Sequence, residues 1–236
     1  MVKRHIKRLT APVTWNLKRN DGKYVVCPFP SGHKKALSLP LLFLLRDIMK
    51  VARTATEVKE ILHHQKVTVD NKRVNEMKYG VGLFDVVNIE ALKKYYRVVL
   101  ANDGVLDAVE IPENETAIKP LRVISKNMLA KGKLQITLLD GTCLLLQQKD
   151  AVNKNIAVGD TVVYNYVEKK ISDVLKYDIG NYVNVIDGKN IGSCGVIESI
   201  KDNTIVLVTP DNKKIQTLTE YTMLVGKKQP VVKLQK

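Results

Sequence analysis

The chain is predicted to be α+β and built of several modules in series, on three observations. Its positive charge is gathered at one end, a short stretch in its first half carries helical spacing, and everything after Tyr95 alternates like short antiparallel strands. Of the 38 Lys/Arg and 24 Asp/Glu in 236 residues, 12 basic and 2 acidic side chains fall in residues 1–53. That is a local balance of +10, against +4 for the rest of the chain. Uncompensated charges at that density repel one another unless a polyanion lies against them, and closely spaced phosphates release counterions on contact. The pattern points to nucleic acid, with an anionic membrane face as the weaker alternative.

Residues 1 to about 36 show no regular period. Pro12, Gly22, Pro28, Pro30 and Gly32 punctuate them, and basic residues come in pairs at Lys3-Arg4, Lys7-Arg8, Lys18-Arg19 and Lys34-Lys35. Trp15, Leu17, Tyr24, Val25, Val26 and Phe29 supply enough apolar mass to dock this arm onto its own protein. Trp15 serves either as a core anchor or as a stacking surface, the first being favoured, and Tyr24 is a second candidate for stacking. The basic pairs have the reach to meet phosphates, a role that needs charge but little fixed geometry.

Residues 37–94 read as a small helical unit that ends in strands. Ser38 is placed to cap a first helix, with Pro40 in its first turn and a stripe of Leu41, Leu42, Leu44, Leu45, Ile48, Met49 and Ala52. Thr54 and Glu57 have the spacing of a capping box for a second helix, with Val58, Ile61 and Leu62 inward and an end near His64-Gln65. Val67 to Val69, a tight turn at Asp70-Asn71 and Lys72 to Val74 form a hairpin, and Leu83 to Ile89 a further strand. Arg46, Lys50 and Arg53 then line one helical face, and Lys66, Lys72 and Arg73 flank the hairpin turn.

Residues 95–175 are expected to be a central β domain. Hairpins join Tyr96–Leu100 to Val105–Ile111, Leu134–Leu139 to Thr142–Leu146, and Thr161–Val167 to Ile171–Leu175, with Asp-Gly at two of the turns. A last β unit spans 176–226, and residues 227–236 form a polar tail.

Several function classes drop out. Cys27, Cys143 and Cys194 are too scattered for a disulfide frame or zinc ribbon and read as reduced, small buried hydrophobes. No apolar core follows the basic start, and Leu37 to Leu45 is far short of the ~20 residues that cross a bilayer, so neither a signal peptide nor a span is expected. The sequence holds no G-x-x-x-x-G-K-[ST], H-E-x-x-H or G-x-S-x-G, and the adjacent His63 and His64 cannot share a helix face. No catalytic residue, metal, cofactor or small-molecule substrate is predicted.

Leu41 to Val74, with Arg46-Asp47, the Thr54…Glu57 start and Val67-Thr68-Val69-Asp70-Asn71-Lys72, resembles the α-L RNA-binding module of bacterial ribosomal protein S-four, pseudouridine synthases and some tyrosyl-tRNA synthetases. Asn71 stands where that pattern has Gly, and Asn is the best non-glycine residue for the positive φ required. Gly180 to Ile197, with Gly188, Gly192 and Gly195 between alternating segments, resembles the KOW motif, whose tight loop here presents Lys189.

The series of parts is more telling than any one. Lys7 to Trp15, Ser31-Gly32-His33-Lys34, Leu39-Pro40-Leu41, the α-L stretch, and Tyr177 to Asn181 leading into the glycine loop resemble small-subunit ribosomal protein four of the archaeal and eukaryotic type over almost the full length. The chain departs from many eukaryotic members in ending soon after Lys233, which suits an archaeal or reduced eukaryotic source. The resemblance implies a fold of a small α-L module, a mostly antiparallel β domain and an SH3-like KOW barrel. It implies a structural constituent of the small ribosomal subunit in the cytoplasm, with small-subunit rRNA and neighbouring ribosomal proteins as partners. The RNA contacts expected are Lys3, Arg4, Lys7, Arg8, Lys18, Arg19, His33, Lys34, Lys35, Arg46, Lys50, Arg53, Lys66, Lys72, Arg73 and Lys189. The rival is an RNA-modifying enzyme of the pseudouridine-synthase kind, targeted by the α-L module, although no catalytic aspartate site is evident after residue 95. A transcription elongation factor with a KOW unit leaves the α-L stretch unexplained.

Overall fold

The computed structural model describes residues 5–18, 20–64, 66–147, 156–227 and 229–234. The chain is mostly antiparallel β with few helices. It divides into two compact units, the first formed by residues up to Ala101 with Val105–Thr116, the second by Asn102–Gly104 with Ala117–Leu234.

In the first unit a five-stranded sheet runs in the order Lys72–Arg73, Val67–Val69, Val86–Ile89, Lys94–Leu100, Leu106–Ile111. Its hairpin turn is left-handed at both central residues, Asp70 at φ 46° and Asn71 at φ 61°. Asp and Asn bear that conformation best after glycine, and it matches the twist of the flanking strands. The Asp70 carboxylate also accepts the Val86 N–H at 2.9 Å, which ties the turn to the neighbouring strand. The hairpin of 94–111 pairs with Val86–Ile89, so this sheet runs on past Tyr95.

The helix Ala55–His64 buries Val58 and Leu62, one turn apart, and leaves its remaining faces wetter. Its start follows the predicted cap with one change. Thr54 Oγ1 accepts the Glu57 N–H at 3.2 Å, but the Glu57 carboxylate reaches past the cap to the Arg53 N–H at 2.8 Å. That Arg53 N–H, ahead of the Thr54 hydroxyl, holds the Glu57 pKa below its usual value.

The first helix departs from expectation. Ser38–Pro40 is a strand paired with Gly80–Gly82, and the helix begins only at Leu41. Ser38 caps nothing there, because the donors of the first turn have other acceptors: Leu41 N–H meets the Tyr79 carbonyl and Leu42 N–H that of Met77, each at 2.9 Å. From Leu44 to Ile48 the turn widens to π geometry, with Met49 N–H donating to Leu44 O at 2.9 Å. Lys50 then leaves in the left-handed region at φ 55°. The strand expected over Leu83–Ile89 is likewise shorter. Phe84 at φ 65° turns the chain, and the Asp85 carboxylate closes that turn on the Gly82 N–H at 2.7 Å.

The described residues of the arm, 5–18 and 20–36, are ordered against this unit rather than irregular throughout. His5–Lys7 pairs with Tyr24–Val26, and Trp15, 3% exposed, donates its indole N–H to the Ser38 carbonyl at 2.8 Å and stacks on Phe43 at 6.5 Å. Arg97 lies wholly buried in the same unit, its guanidinium on the Glu115 carboxylate at 3.2 Å and the Glu115 carbonyl at 2.7 Å. Burial pushes its pKa down, and the Glu115 carboxylate opposes that shift.

The second unit holds two five-stranded antiparallel sheets. The first runs Cys143–Gln147, Lys133–Leu138, Ile118–Leu129, Thr161–Asn165, Lys170–Leu175, around Leu121, Val123, Ile136, Leu138, Ile156 and Val162. Its central strand carries Pro120 without loss, because residues 118–122 pair on one side only and residues 123–129 on the other. Beside it Lys119, 1% exposed, faces Asp140 at 3.9 Å and the Tyr166 ring at 5.2 Å, while Tyr166 and Thr142 donate to the same carboxylate. The second sheet runs Lys214–Leu218, Thr204–Val208, Cys194–Lys201, Tyr182–Val185, Thr222–Gly226. Gly195 is required there: a Cβ would stand 2.5 Å from the Val208 carbonyl oxygen.

The three cysteines are free, but they are not alike. Cys194 is buried, whereas Cys143 is exposed, against the expectation of a small buried hydrophobe. Burial pushes the Cys194 thiol up to about 11. Alkylation of the native chain at mildly alkaline pH should label Cys143 and spare Cys194 until denaturant is added, as read by mass spectrometry. Trp15→Ala should lower the unfolding free energy by about 4 kcal/mol in denaturant melts, through the cavity and the lost indole bond.

Candidate nucleic-acid interface

The arm and the first helix bound a groove of ≈ 470 Å³ within the first unit. The arm contributes Arg8, Leu17, Lys18, Asp21, Tyr24 and Val25; Pro40, Leu42, Arg46, Asp47 and Lys50 come from the helical side. The π turn and the left-handed Lys50 bring Arg46 and Lys50 to this groove, and Arg53 does not line it. The single helical face expected for Arg46, Lys50 and Arg53 is therefore broken, since the helix ends before Lys50.

The predicted contacts sort by what already holds them. Lys3, Arg4 and Arg19 lie outside the described residues. Lys7, Lys18, Lys34, Lys35, Lys50, Arg53, Lys72, Arg73 and Lys189 are exposed, and the described residues offer none of them an ion pair. Arg8 instead spends its guanidinium inside the arm, donating to the Gly22 carbonyl at 3.1 Å and the Lys18 carbonyl at 2.9 Å. Arg46 forks onto the neighbouring Asp47 at 2.8 Å, and Lys66 stands 3.5 Å from Glu90.

His33 turns inward, contrary to its place among the expected contacts. Its imidazole packs over Gly82, where a Cβ would come within 2.1 Å of the ring, and Nε2 meets the Asp85 carboxylate at 3.1 Å. With a side chain 9% exposed it pins the arm to the turn at 82–85. Trp15, buried, is no stacking surface.

Two aromatic rings do stay half open. Tyr24 is 51% exposed, with Lys23 Nζ 5.6 Å above its ring and His5 edge-on at 4.8 Å. Phe29 is 41% exposed, with Lys78 Nζ at 6.0 Å. Lys23 and Lys78 are absent from the sequence-based set. Lys23 could have been found by its adjacency to Tyr24, whereas Lys78 meets Phe29 only because Phe29 N–H donates to the Lys78 carbonyl at 2.7 Å. Among the described residues no group of three or more His, Cys, Asp or Glu could hold a metal ion, and no helix is long and apolar enough to cross a membrane.

Residues 92–171 match the ribosomal family S4e, and residues 2–36 match the RS4NT domain. The small ribosomal subunit protein eS4 of Methanocella arvoryzae is 35% identical over 97% of this chain and 96% of its own length. The chain belongs to the eS4 family. The eS4 protein of Methanocaldococcus jannaschii is 32% identical over 98% of both chains. The crystal structure of the 30S ribosomal protein S4e from Thermoplasma acidophilum is 27% identical, with a TM-score of 0.66 over 81% of this chain and 95% of that one. The family is one of ribosomal proteins and not of enzymes.

His33→Ala removes a partner from buried Asp85 and the cover from Gly82, and should cost about 2 kcal/mol of stability. Lys34→Ala next to it touches only solvent and should stay within about 0.5 kcal/mol of the parent. Paired denaturant melts separate the two, and equal losses would contradict the inward placement of His33.

Proposed function

We propose that this chain is a structural constituent of the small ribosomal subunit, in the cytoplasmic ribosome, holding small-subunit rRNA and neighbouring ribosomal proteins. The observation that carries the proposal is the concentration of charge: residues 1–53 hold 12 basic against 2 acidic side chains. Of these cations Lys7, Lys18, Lys34, Lys35, Lys50 and Arg53 are exposed and have no ion pair among the described residues. Surface cations left without counter-charges at this density suit contact with phosphates.

The functional divisions we propose are a basic arm over 1–36, an α-L module over 37–94, a β domain over 95–175, a KOW unit over 176–226 and a tail over 227–236. The helix 55–64 followed by the 67–73 hairpin supports the α-L assignment, as both edges carry exposed basic residues for following an RNA groove by shape. The boundary at residue 95 is one of sequence pattern, because the 94–111 hairpin completes the sheet of the first unit. The five-stranded order in which Thr222–Gly226 returns beside Tyr182–Val185 supports a small SH3-like KOW barrel, with Lys189 exposed in its glycine loop. The pseudouridine-synthase-like alternative gains nothing from the relatives, which carry ribosomal names.

Binding of the full chain to small-subunit rRNA should weaken with salt, log affinity falling by about 0.7 to 0.9 per phosphate contact against log salt. Changing Lys34, Lys35, Lys72 and Arg73 together to Gln should flatten that slope by about 3 while leaving the melt unchanged. Charge removal is the cleaner test than deleting the arm, since deletion also takes away Trp15 and His33. A salt-independent affinity would overturn the proposal.

A further inference from the structure

We propose that the groove between the arm and the Leu41–Ile48 helix receives one unpaired guanine of the bound RNA, its base on Tyr24, its Watson–Crick edge on Asp21, and its flanking phosphates on Lys18 and Lys50. This rests on the reading of the chain as an RNA-binding protein and adds a base-reading site to it.

The groove has the shape and the chemistry for a nucleotide. Its ≈ 470 Å³ falls in the range of small-ligand clefts. Its lining is mixed, with Leu17, Val25, Pro40 and Leu42 set among charged and polar groups, and Tyr24 stands at its side 51% exposed. His5, edge-on at 4.8 Å, and Lys23 Nζ, 5.6 Å above the ring, orient Tyr24 while leaving about half of it exposed. An oriented, half-exposed aromatic beside unpaired lysines is the combination that takes up an unstacked base in single-stranded RNA. Lys18 and Lys50 meet at this groove from segments far apart in the chain, and Arg46 is held toward it by its fork onto Asp47 at 2.8 Å.

Asp21 decides which base. Asp21 is an exposed carboxylate among these cations, and it disfavours a phosphate beside it while favouring a hydrogen-bond donor. Its side chain makes no hydrogen bond among the described residues. An ionised carboxylate only accepts, and it accepts best from two donors side by side. Guanine presents such a pair in its N1–H and its 2-amino group. Adenine and cytosine set one amino group next to an acceptor nitrogen, and uracil sets one N–H between two carbonyl oxygens that a carboxylate repels. The base must also be unpaired, because pairing occupies the same edge.

Titration of the full ¹⁵N-labelled chain with the ribopentamers UUGUU, UUAUU and UUUUU, carried to millimolar RNA, tests the site. UUGUU should bind roughly tenfold more tightly than UUUUU and should shift the amides of Lys18, Asp21, Tyr24 and Lys50. Tyr24→Ala should weaken UUGUU roughly tenfold, and Tyr24→Trp should restore it. Asp21→Ala should abolish the preference for UUGUU without weakening UUUUU. Equal affinities for the three pentamers, or full affinity in Tyr24→Ala with its spectrum otherwise intact, would overturn the site. A chain that binds small-subunit rRNA but no pentamer loses this site alone; one that binds neither loses the functional reading beneath it.

Discussion

The burial of Trp15 is the constraint on which the first unit depends. The indole reaches 23 residues along the chain to the Ser38 carbonyl at 2.8 Å and lies over Phe43, so one side chain joins the arm, the 38–40 strand and the start of the helix. Burying so large a ring outweighs the repulsion among neighbouring surface cations, which solvent and salt screen strongly. The arm can therefore carry Lys7, Lys18, Lys34 and Lys35 as exposed charge and still be folded without its polyanion. His33 on Asp85 and Thr14 O on the Leu106 N–H fasten the same segment at two further points.

Cations in this protein fall into three populations with different physics. Arg97 and Lys119 are buried and so must have partners, and each faces a carboxylate. Lys66, Lys94, Lys214 and Lys227 form exposed ion pairs that add little to stability. The third population, which includes Lys7, Lys18, Lys34, Lys35, Lys50 and Arg53, has no carboxylate at ion-pair distance among the described residues. A protein stable by itself gains nothing from such an arrangement, and a polyanion-binding one gains affinity and speed of encounter.

Local signals are what the sequence shows plainly. The Asp70-Asn71 turn, the Thr54 cap and the inward Val58 and Leu62 follow from spacing and residue type, because each involves neighbours within one turn. Long-range acceptors are what it hides. Ser38 looks like a cap until the carbonyls of Met77 and Tyr79 are seen to serve the helix instead. The 12-residue strand Ile118–Leu129 is masked by Pro120, whose missing N–H is harmless only because the strand changes partners at residue 123. His33 sits in a basic run, yet the glycine 49 residues away that makes room for it directs its ring inward. That a candidate contact is exposed charge is legible from the sequence, while the placement of residues held by distant contacts is not.

The π turn at Leu44–Ile48 shows how a small backbone irregularity shapes the candidate interface. In an unbroken α-helix Arg46, Lys50 and Arg53 would form a ridge four and three residues apart, suited to an RNA groove but unable to enclose anything. The wider turn adds a residue to the helical circuit, and Lys50 at φ 55° then ends it. Arg46 and Lys50 consequently meet Lys18 and Tyr24 of the arm around a concavity, while Arg53 passes on to the next helix, where its N–H donates to the Glu57 carboxylate. Irregular turns of this kind persist when surrounding packing over-determines them, and the buried Leu44 and Leu45 within it do so here. The widened turn thus converts a charged ridge into a cleft, and a cleft can select one base where a ridge can only follow a backbone.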